Sequence, residues 1–202
     1  SWSASMNFWS GRLGFALGFW ASLGCAPVLE AKTRLFVIDR ERSFLGFEVS
    51  HLGFIRVPGC YHDYSGEVEW EDGAPAPTRI DLKILVASID TKLKWRDEVL
   101  RGPEFFDVAR TPQVVFASRS IKALGNGRLE IAGDLTIRGI TLPLAFRLGS
   151  TSAPSTAGSP KRWRFKGEFL VVRLPYGVGA HYAPPFIGEL VTIKLDGEMV
   201  ER

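Results

Sequence analysis

The chain has 202 residues, of which 46% are hydrophobic and 23% are charged, so it fits one globular domain with a buried core. Its 25 basic and 22 acidic residues give a formal net charge of +3. These charges are interspersed, and the longest basic run is Lys161-Arg162. Because phosphate binding needs clustered positive charge, this distribution argues against a nucleic-acid partner.

The N-terminal segment has the pattern of an export signal. Residues 13–23 form an uncharged run that is too short to span a bilayer and has the length of a signal-peptide core. Gly24-Cys25-Ala26 supplies the small residues that cleavage after Ala26 requires. Residues 1–26 are therefore predicted to be a signal peptide. The alternatives are a lipoprotein anchored through Cys25 and an uncleaved anchor.

From Arg34 the hydrophobic pattern has a period of two, which is typical of β-strands with one buried face. The strands predicted in the first half of the chain cover residues 34–39, 43–51, 60–70 and 80–88. Residues 53–59 are predicted to be a turn region. In the second strand, Leu45, Phe47 and Val49 form an apolar row that His51 continues.

The one long interruption of the strand pattern begins at Thr91. Residues 91–101 have helical spacing, with Thr91 as the predicted N-cap, and Gly102-Pro103 ends the helix. Phe105 and Phe106 then lie in a polar loop, where leaving each ring in water would forfeit roughly 2–3 kcal/mol of burial. We therefore expect this loop to fold inward, as a cover or part of the wall of a container that the strands build.

The second half of the chain returns to short alternating segments separated by turns. The strands predicted here cover residues 113–121, 129–137, 142–148, 163–171 and 191–199. Gly125-Asn126-Gly127 is a predicted turn, and residues 149–160 are a predicted flexible loop. Repeated alternation of this kind is typical of an antiparallel sheet closed into a barrel or sandwich, and the regular inward apolar set favours a barrel. A barrel of roughly eight strands can be filled by side chains or can hold one elongated ligand.

No recognisable catalytic arrangement is found in the sequence. The common nucleophile motifs and phosphate-binding glycine loops are absent. The three histidines, His51, His62 and His181, lack the spacing that places two ligands on one face, so no metal site and no catalytic residue are predicted. Cys60 is expected to be a free buried thiol, because it is the one cysteine after the predicted signal peptide and has no partner for a disulfide. Nothing next to it in sequence would lower its pKa, which argues against a reactive nucleophile.

Three polar residues near the apolar rows are candidates for contact with a ligand. His51 could offer one hydrogen bond to a polar group in the cavity, or could bond a backbone carbonyl at the barrel rim. On the helix, Asp97 and Arg101 have the i,i+4 spacing of a supportive surface pair. In the functional alternative, Arg96 or Arg101 turns to the cavity mouth and meets a ligand head group.

Several short segments occur in a specific order from about Phe36 to Met199. They include Val49-Ser-His51-Leu-Gly-Phe54, Arg96-Asp-Glu-Val-Leu-Arg101, Phe105-Phe-Asp-Val108, Gly133-Asp-Leu-Thr-Ile137 and Tyr176-Gly-Val-Gly179. In this order they resemble the YceI-like family, the periplasmic polyisoprenoid-binding proteins of bacteria. The resemblance covers nearly the whole chain after the predicted signal peptide.

The resemblance implies a fold and a ligand. The fold is an all-β, lipocalin-like antiparallel barrel at residues 34–200, with one short helix and an inserted loop. The ligand is an isoprenoid, such as a polyprenyl alcohol or a quinone, or a fatty-acid-type amphiphile, held in a long apolar tunnel. The resemblance also implies export to the periplasm and frequent homodimers, and it implies neither a reaction nor a cofactor other than the bound lipid.

The sequence departs from the family pattern in the late loop. Arg173 is followed by Leu174-Pro175, where relatives usually have an acidic or polar pair, and residues 181–186 are apolar and rich in proline. These differences weaken the expectation of a head-group contact there and predict a more hydrophobic tunnel mouth.

The leading hypothesis is a protein that binds, carries or sequesters such a lipid and touches membranes only transiently to exchange it. The predicted ligand-binding residues are Phe47, Val49, His51, Phe54, Arg101, Phe105, Phe106, Phe116, Phe165 and Ile193. Two alternatives stay open. One is a stress-response partner protein with a filled barrel and no ligand, and the other is an enzyme that acts on a lipid-like substrate in the same cavity.

Overall fold

The computed structural model describes residues 32–152 and 158–202, and the predicted signal peptide lies outside them. The described chain contains ten β-strands and one α-helix, α1 (Lys94–Arg101). The strands are β1 (Thr33–His51), β2 (Ile55–Tyr61), β3 (Tyr64–Glu71), β4 (Arg79–Leu85), β5 (Ile89–Asp90), β6 (Gln113–Gly125), β7 (Arg128–Ile137), β8 (Ile140–Ser152), β9 (Arg162–Val172) and β10 (Ile187–Glu201). Among these residues, no helix has the length and hydrophobicity that crossing a membrane requires.

Eight of the strands close into an antiparallel barrel. The order around it is β1–β3–β4–β6–β7–β8–β9–β10, and β10 pairs with β1 to close the sheet. The first part of β1, from Thr33 to Val37, pairs with β3, whereas its last part, from Leu45 to His51, pairs with β2. Thus β3 and β2 pair with successive parts of β1, and β2 takes the place beside β1 that β3 leaves. The predicted antiparallel barrel with one short helix is confirmed.

One strand replaces the first two that the sequence predicts. β1 runs without a break through 19 residues. Its register with β10 shifts between Asp39 and Phe44, which marks a bulge. A bulge lets a strand bend while it keeps its partner, so the polar residues 40–42 remain in the strand although their pattern resembles a loop.

Two predicted loops are partly strand. Residues 55–59 belong to β2, although they include Pro58. Pro58 is tolerated because β5, on the far side of β2, pairs only with Cys60 and Tyr61. The predicted flexible loop after Leu148 is strand through Ser152, and its residues 153–157 lie outside the described residues.

The helix starts later than predicted. Leu93, not Thr91, precedes its first turn and makes no side-chain capping bond. Thr91 is engaged by the buried Asp97, whose Oδ1 accepts the Thr91 backbone N–H at 2.8 Å and its hydroxyl at 2.6 Å. The predicted cap is wrong because this carboxylate occupies the hydroxyl. The helix ends at Gly102 as predicted.

A small aromatic cluster lies at the end of the barrel opposite α1. Phe36 is fully buried and meets Trp70 edge to face, with ring centroids 6.3 Å apart. Trp70 in turn stacks on Trp163 of β9 at 4.4 Å. These rings close that end, so an opening into the barrel is expected at the end where α1 lies.

Candidate functional site

The interior of the barrel is a cavity of about 730 Å³ with an almost entirely apolar wall. Because alternate residues of a strand point to the same side, each barrel strand contributes one inward row. In β1 this row is Leu45, Phe47 and Val49, which face the cavity together as their spacing predicts.

The cavity wall contains most of the residues proposed from sequence as ligand contacts. Those on the wall are Phe47, Val49, His51, Phe105, Phe106, Phe116, Phe165 and Ile193. Phe146 and Phe169 also lie on the wall but were not among the contacts predicted from sequence. Phe146 meets Phe116 at 5.3 Å and stacks on Phe169 at 4.2 Å, which gives a continuous aromatic row across β6, β8 and β9. Both residues lie in predicted strands, on the face that the alternation of apolar residues predicts to point inward, so this alternation could have identified them as wall residues.

Phe54 and Arg101, which the sequence also proposed as ligand contacts, lie outside the wall. Phe54 is at the tip of the β1–β2 turn and is 79% exposed, because the turn projects beyond the barrel. Arg101 turns away from the cavity and donates to the backbone carbonyls of Ala87 and Ile89, at 2.9 Å each. Arg101 therefore bonds these carbonyls and does not form the predicted pair with Asp97. Its two bonds fix α1 to residues 87–89.

Residues 102–112, which we call the cover segment, fold over the open end of the barrel. Phe105 is 5% exposed and stacks on Tyr182 at 5.4 Å, while Phe106 meets Tyr61 edge to face at 6.5 Å. The predicted inward fold of this loop is confirmed. Arg138 fastens the segment by donating to the carbonyls of Pro103 and Phe105.

The cover segment is also held by residues 173–186, which we call the late loop. The backbone N–H of Gly179 donates to the Glu104 carbonyl at 2.9 Å, and the Tyr182 hydroxyl donates to the Glu104 carboxylate at 2.9 Å. Gly179 has a φ of +58°, and a Cβ there would lie 2.6 Å from a ring carbon of Phe105. Only glycine satisfies both conditions, so this close approach of loop and cover is built into the sequence.

Arg173 organises the late loop from inside. It is 5% exposed, and its guanidinium donates to the carbonyls of Val178, Gly179, Tyr182, Ile187 and Gly188, at distances from 2.5 to 2.8 Å. Burial lowers the pKa of Arg173 from its ordinary value. All five donors of the side chain are therefore engaged by backbone, which leaves none for a ligand head group.

Polar groups at the mouth of the cavity come from α1 and the end of β1. Arg96 lies on the wall, half-buried, and donates from Nε to the Thr91 hydroxyl at 2.8 Å and from Nη2 to the Thr91 carbonyl at 2.7 Å. Since Asp97 fixes Thr91, the chain Asp97–Thr91–Arg96 sets the direction of the guanidinium. His51 is exposed on the same rim.

A second group of polar side chains lies away from the cavity, where β2 meets β5. His62 Nε2 is 2.9 Å from Asp90 Oδ2 and 3.8 Å from Cys60 Sγ. Cys60 is a free thiol, and burial together with the nearby Asp90 raises its pKa. Hydrogen bonds from His62 and Lys92 hold the pKa of Asp90 far below its ordinary value. The Cys60-x-His62 spacing was the one sequence signal for this group, and it was not used in the prediction, since Asp90 is remote in sequence.

The fold and cavity define a class of protein, the small antiparallel β-barrels that enclose an apolar cavity. Residues 36–199 match the YceI-like domain, and the protein belongs to this family. A UPF0312 protein of Shewanella sp. (strain ANA-3) is 30% identical over 164 residues, which are 80% of this chain and 86% of that protein. A UPF0312 protein of Shewanella baltica (strain OS155 / ATCC BAA-1091) is 30% identical over 74% of this chain and 79% of its own length.

Solved structures share the fold. BcnA of Burkholderia cenocepacia has a TM-score of 0.68 and 23% identity, over 81% of this chain and 98% of that chain. The YCEI protein of Campylobacter jejuni has a TM-score of 0.70 and 20% identity, over 76% and 90%. A polyisoprenoid-binding domain of Saccharophagus degradans has a TM-score of 0.63 and 15% identity, over 83% and 98%.

Proposed function

We propose that the protein binds an isoprenoid, such as a polyprenyl alcohol or a quinone, or a similar long-chain amphiphile in the barrel cavity. The observation that carries the proposal is the cavity of about 730 Å³ with its apolar wall. Ligand-binding cavities usually enclose roughly 300–1,000 Å³. Each five-carbon unit that leaves water for such a wall contributes about 4 kcal/mol, so a flexible apolar chain gains affinity from length alone.

The size of the cavity argues against a simple packing defect. Packed protein interiors contain few voids larger than a water molecule. A space of about 730 Å³ is far larger than such a void. The interior is therefore better understood as a space for a ligand.

The distribution of polar groups supports one orientation of the ligand. Arg96 and His51 lie at the mouth, whereas Phe116, Phe146 and Phe169 form an apolar row along the wall. A polar head would meet Arg96 and His51, and the tail would run along Phe116, Phe146 and Phe169. The Arg96 guanidinium is held in place before the ligand arrives, which lowers the entropy cost of binding.

The rim around the mouth offers a route for the lipid. Trp95 and Phe186 line the cavity and are 64% and 60% exposed, and Phe54 projects beside them. The backbone N–H of Leu52 donates to the Phe186 carbonyl at 3.0 Å, which joins the β1–β2 turn to the late loop. Exposed rings around an apolar opening suit brief contact with a membrane, where a lipid can pass into the barrel without entering water. We place this exchange in the periplasm.

Family membership and the polyisoprenoid-binding structural neighbour also support a lipid ligand. A stress-response protein without a ligand would need a filled barrel, and the interior instead holds a cavity with walls from all eight strands. No observation favours an enzyme over a binding protein. The predicted homodimer stays a prediction.

The test is lipid content after the introduction of a charge into the wall. The wild-type protein and a Phe47→Arg variant are purified from the periplasm and compared by native mass spectrometry and lipid extraction. We expect a lipid of defined mass in the wild-type protein and none in the variant. An unpaired guanidinium in the apolar wall would strongly disfavour binding of an apolar lipid tail.

The matched control is Phe44→Arg. Phe44 lies on the same strand, and its ring is 51% exposed on the outer face. This variant should keep its lipid, and circular dichroism should show both variants as folded β proteins. Equal lipid content in a folded Phe47→Arg variant, or wild-type protein that stays lipid-free after incubation with polyprenols and quinones, would refute the proposal.

A further inference from the structure

Three side chains of different chemistry converge on the outer face of the barrel, away from the lipid cavity. Cys60 lies opposite Asp90 in the pairing of β2 with β5, and His62 lies in the bend one residue past the end of β2. Their donor atoms, one sulfur, one nitrogen and one oxygen, lie within 4.8 Å of one another. The sheet therefore sets two of the three positions, and the bend after β2 sets the third.

The hydrogen-bond geometry does not match a catalytic triad. In a nucleophile–histidine–acid triad the two partners use opposite ring nitrogens of the histidine. Here Asp90 Oδ2 and Cys60 Sγ both face Nε2 of His62, at 2.9 Å and 3.8 Å. One ring nitrogen cannot serve both partners in a proton relay, so the arrangement is not suited to activating the thiol.

The same geometry fits a metal ion at the centre of the three atoms. A tetrahedral zinc ion, with bonds of about 2.3 Å to sulfur and about 2.0–2.1 Å to nitrogen and oxygen, holds sulfur and nitrogen about 3.6 Å apart and nitrogen and oxygen about 3.3 Å apart. The corresponding distances here are 3.8 Å and 2.9 Å. The third pair, the Cys60 sulfur and the Asp90 oxygen, lies within 4.8 Å, so side-chain rotation would bring all three atoms to one ion.

We propose that Cys60, His62 and Asp90 bind a divalent cation of borderline softness, Zn²⁺ above all, with a water molecule in the fourth position. Thiolate, imidazole and carboxylate are the ligand types that zinc takes in proteins. The Lys92 ammonium, 2.8 Å from Asp90 Oδ2, occupies part of this space, and because its side chain is 80% exposed it is free to withdraw.

Such an ion would cross-link the end of β2 to β5. β5 has two residues and pairs with β2 only at Ile89 and Asp90. Thr91, which orients Arg96 at the cavity mouth, follows β5 directly. A bound ion would therefore stiffen the short connection that leads into α1, whether or not the cavity holds lipid.

The test uses Co²⁺ as a spectroscopic substitute for Zn²⁺ on the metal-free full chain. We expect saturation at one equivalent, with a thiolate-to-cobalt charge-transfer band that Zn²⁺ abolishes by displacement. Cys60→Ser should remove the band even though Cys25 remains in the chain. His62→Ala and Asp90→Asn should weaken binding by at least the roughly 10- to 100-fold that loss of an outer-shell partner costs.

Two control variants separate this site from nonspecific binding. His181→Ala removes a histidine outside the group and should leave the affinity unchanged. Lys92→Met removes the competing ammonium and should bind the metal more tightly than wild type. The proposal is overturned if binding does not saturate, if the band survives in Cys60→Ser, or if His62→Ala binds as tightly as wild type while circular dichroism shows all variants folded.

Discussion

Arg173 gives the sharpest test of how the mouth of the barrel is held together. We consider the variant Arg173→Met, which keeps an unbranched apolar side chain of similar reach and removes the guanidinium. The late loop would then lose five hydrogen bonds at once, because a single side chain supplies all of them.

The size of the effect follows from which carbonyls become unpaired. The bonds to Val178 and Gly179 are fully buried, and those to Tyr182, Ile187 and Gly188 are partly buried, where water can replace the guanidinium. A buried polar group left unpaired costs about 1–3 kcal/mol. The Gly179 carbonyl keeps the backbone N–H of Tyr182 at 2.9 Å, so the Val178 carbonyl is the buried one that becomes unpaired, which predicts a loss of about 2 kcal/mol in the free energy of unfolding.

Urea unfolding at neutral pH, followed by circular dichroism, measures this loss. The matched control is Arg147→Met, because the Arg147 side chain is 72% exposed and its one ion pair among the described residues is with Glu130 on the surface. That variant should lose no more than about 1 kcal/mol. A folded Arg173→Met variant whose stability falls by no more than that of Arg147→Met would refute the role of Arg173.

The same variant should also exchange its lipid faster. The late loop holds the cover segment through Gly179 and Tyr182, so a loosened loop releases the cover. Transfer of a fluorescent polyprenol analogue from the protein to vesicles would show this effect. Arg147→Met should transfer the probe at the wild-type rate, and equal rates in all three proteins would show that the cover does not control exchange.

Two further predictions concern the wall and the acid side of the pH range. A Cβ at position 59 would lie 2.2 Å from the Phe47 ring, so Gly59→Ala should push this ring into the cavity. The variant should lose roughly 1–3 kcal/mol in the free energy of unfolding, measured in urea, and should bind less lipid. Unchanged stability and lipid content would show that the ring has room to move. The pKa of Glu198 is lowered, chiefly by its hydrogen bond to Arg164, so its contribution to stability is complete above the ordinary value of 4.5 and is lost as the pH falls through the lower folded value. Glu198→Gln should therefore flatten the decline in stability between about pH 6 and pH 3, and an equal decline in both proteins would contradict this.

The strands were most predictable where the local pattern and the final environment agree. β7 alternates without fault between side chains that face the core and side chains that face outward. Its sequence therefore predicts both the strand and its buried face. The polar residues 40–42 of β1 show the opposite case, since pairing with β10 on either side of the bulge keeps them in the strand against their local preference.

The candidate site divides in the same way. The apolar wall follows from strand alternation, so residues such as Phe47 and Ile193 could be named from sequence. The polar positions depend on partners that only the fold brings near. Arg101 has a local partner in Asp97 by spacing, yet the carbonyls of Ala87 and Ile89 hold it instead. Helical spacing describes neighbours along a helix and carries no information about the segment packed against it.

The pairing of β1 with β10 also shapes how the chain folds. This seam joins positions as far apart as Arg34 and Glu201, which are 167 residues distant in sequence. Closing a loop of that length costs roughly 4–5 kcal/mol of chain entropy before any seam contact repays it. High contact order of this kind predicts folding in milliseconds to seconds, with the seam closing late. Until it closes, the two longest strands present unpaired edges, so a newly made chain is most exposed to aggregation at the seam that later completes its cavity.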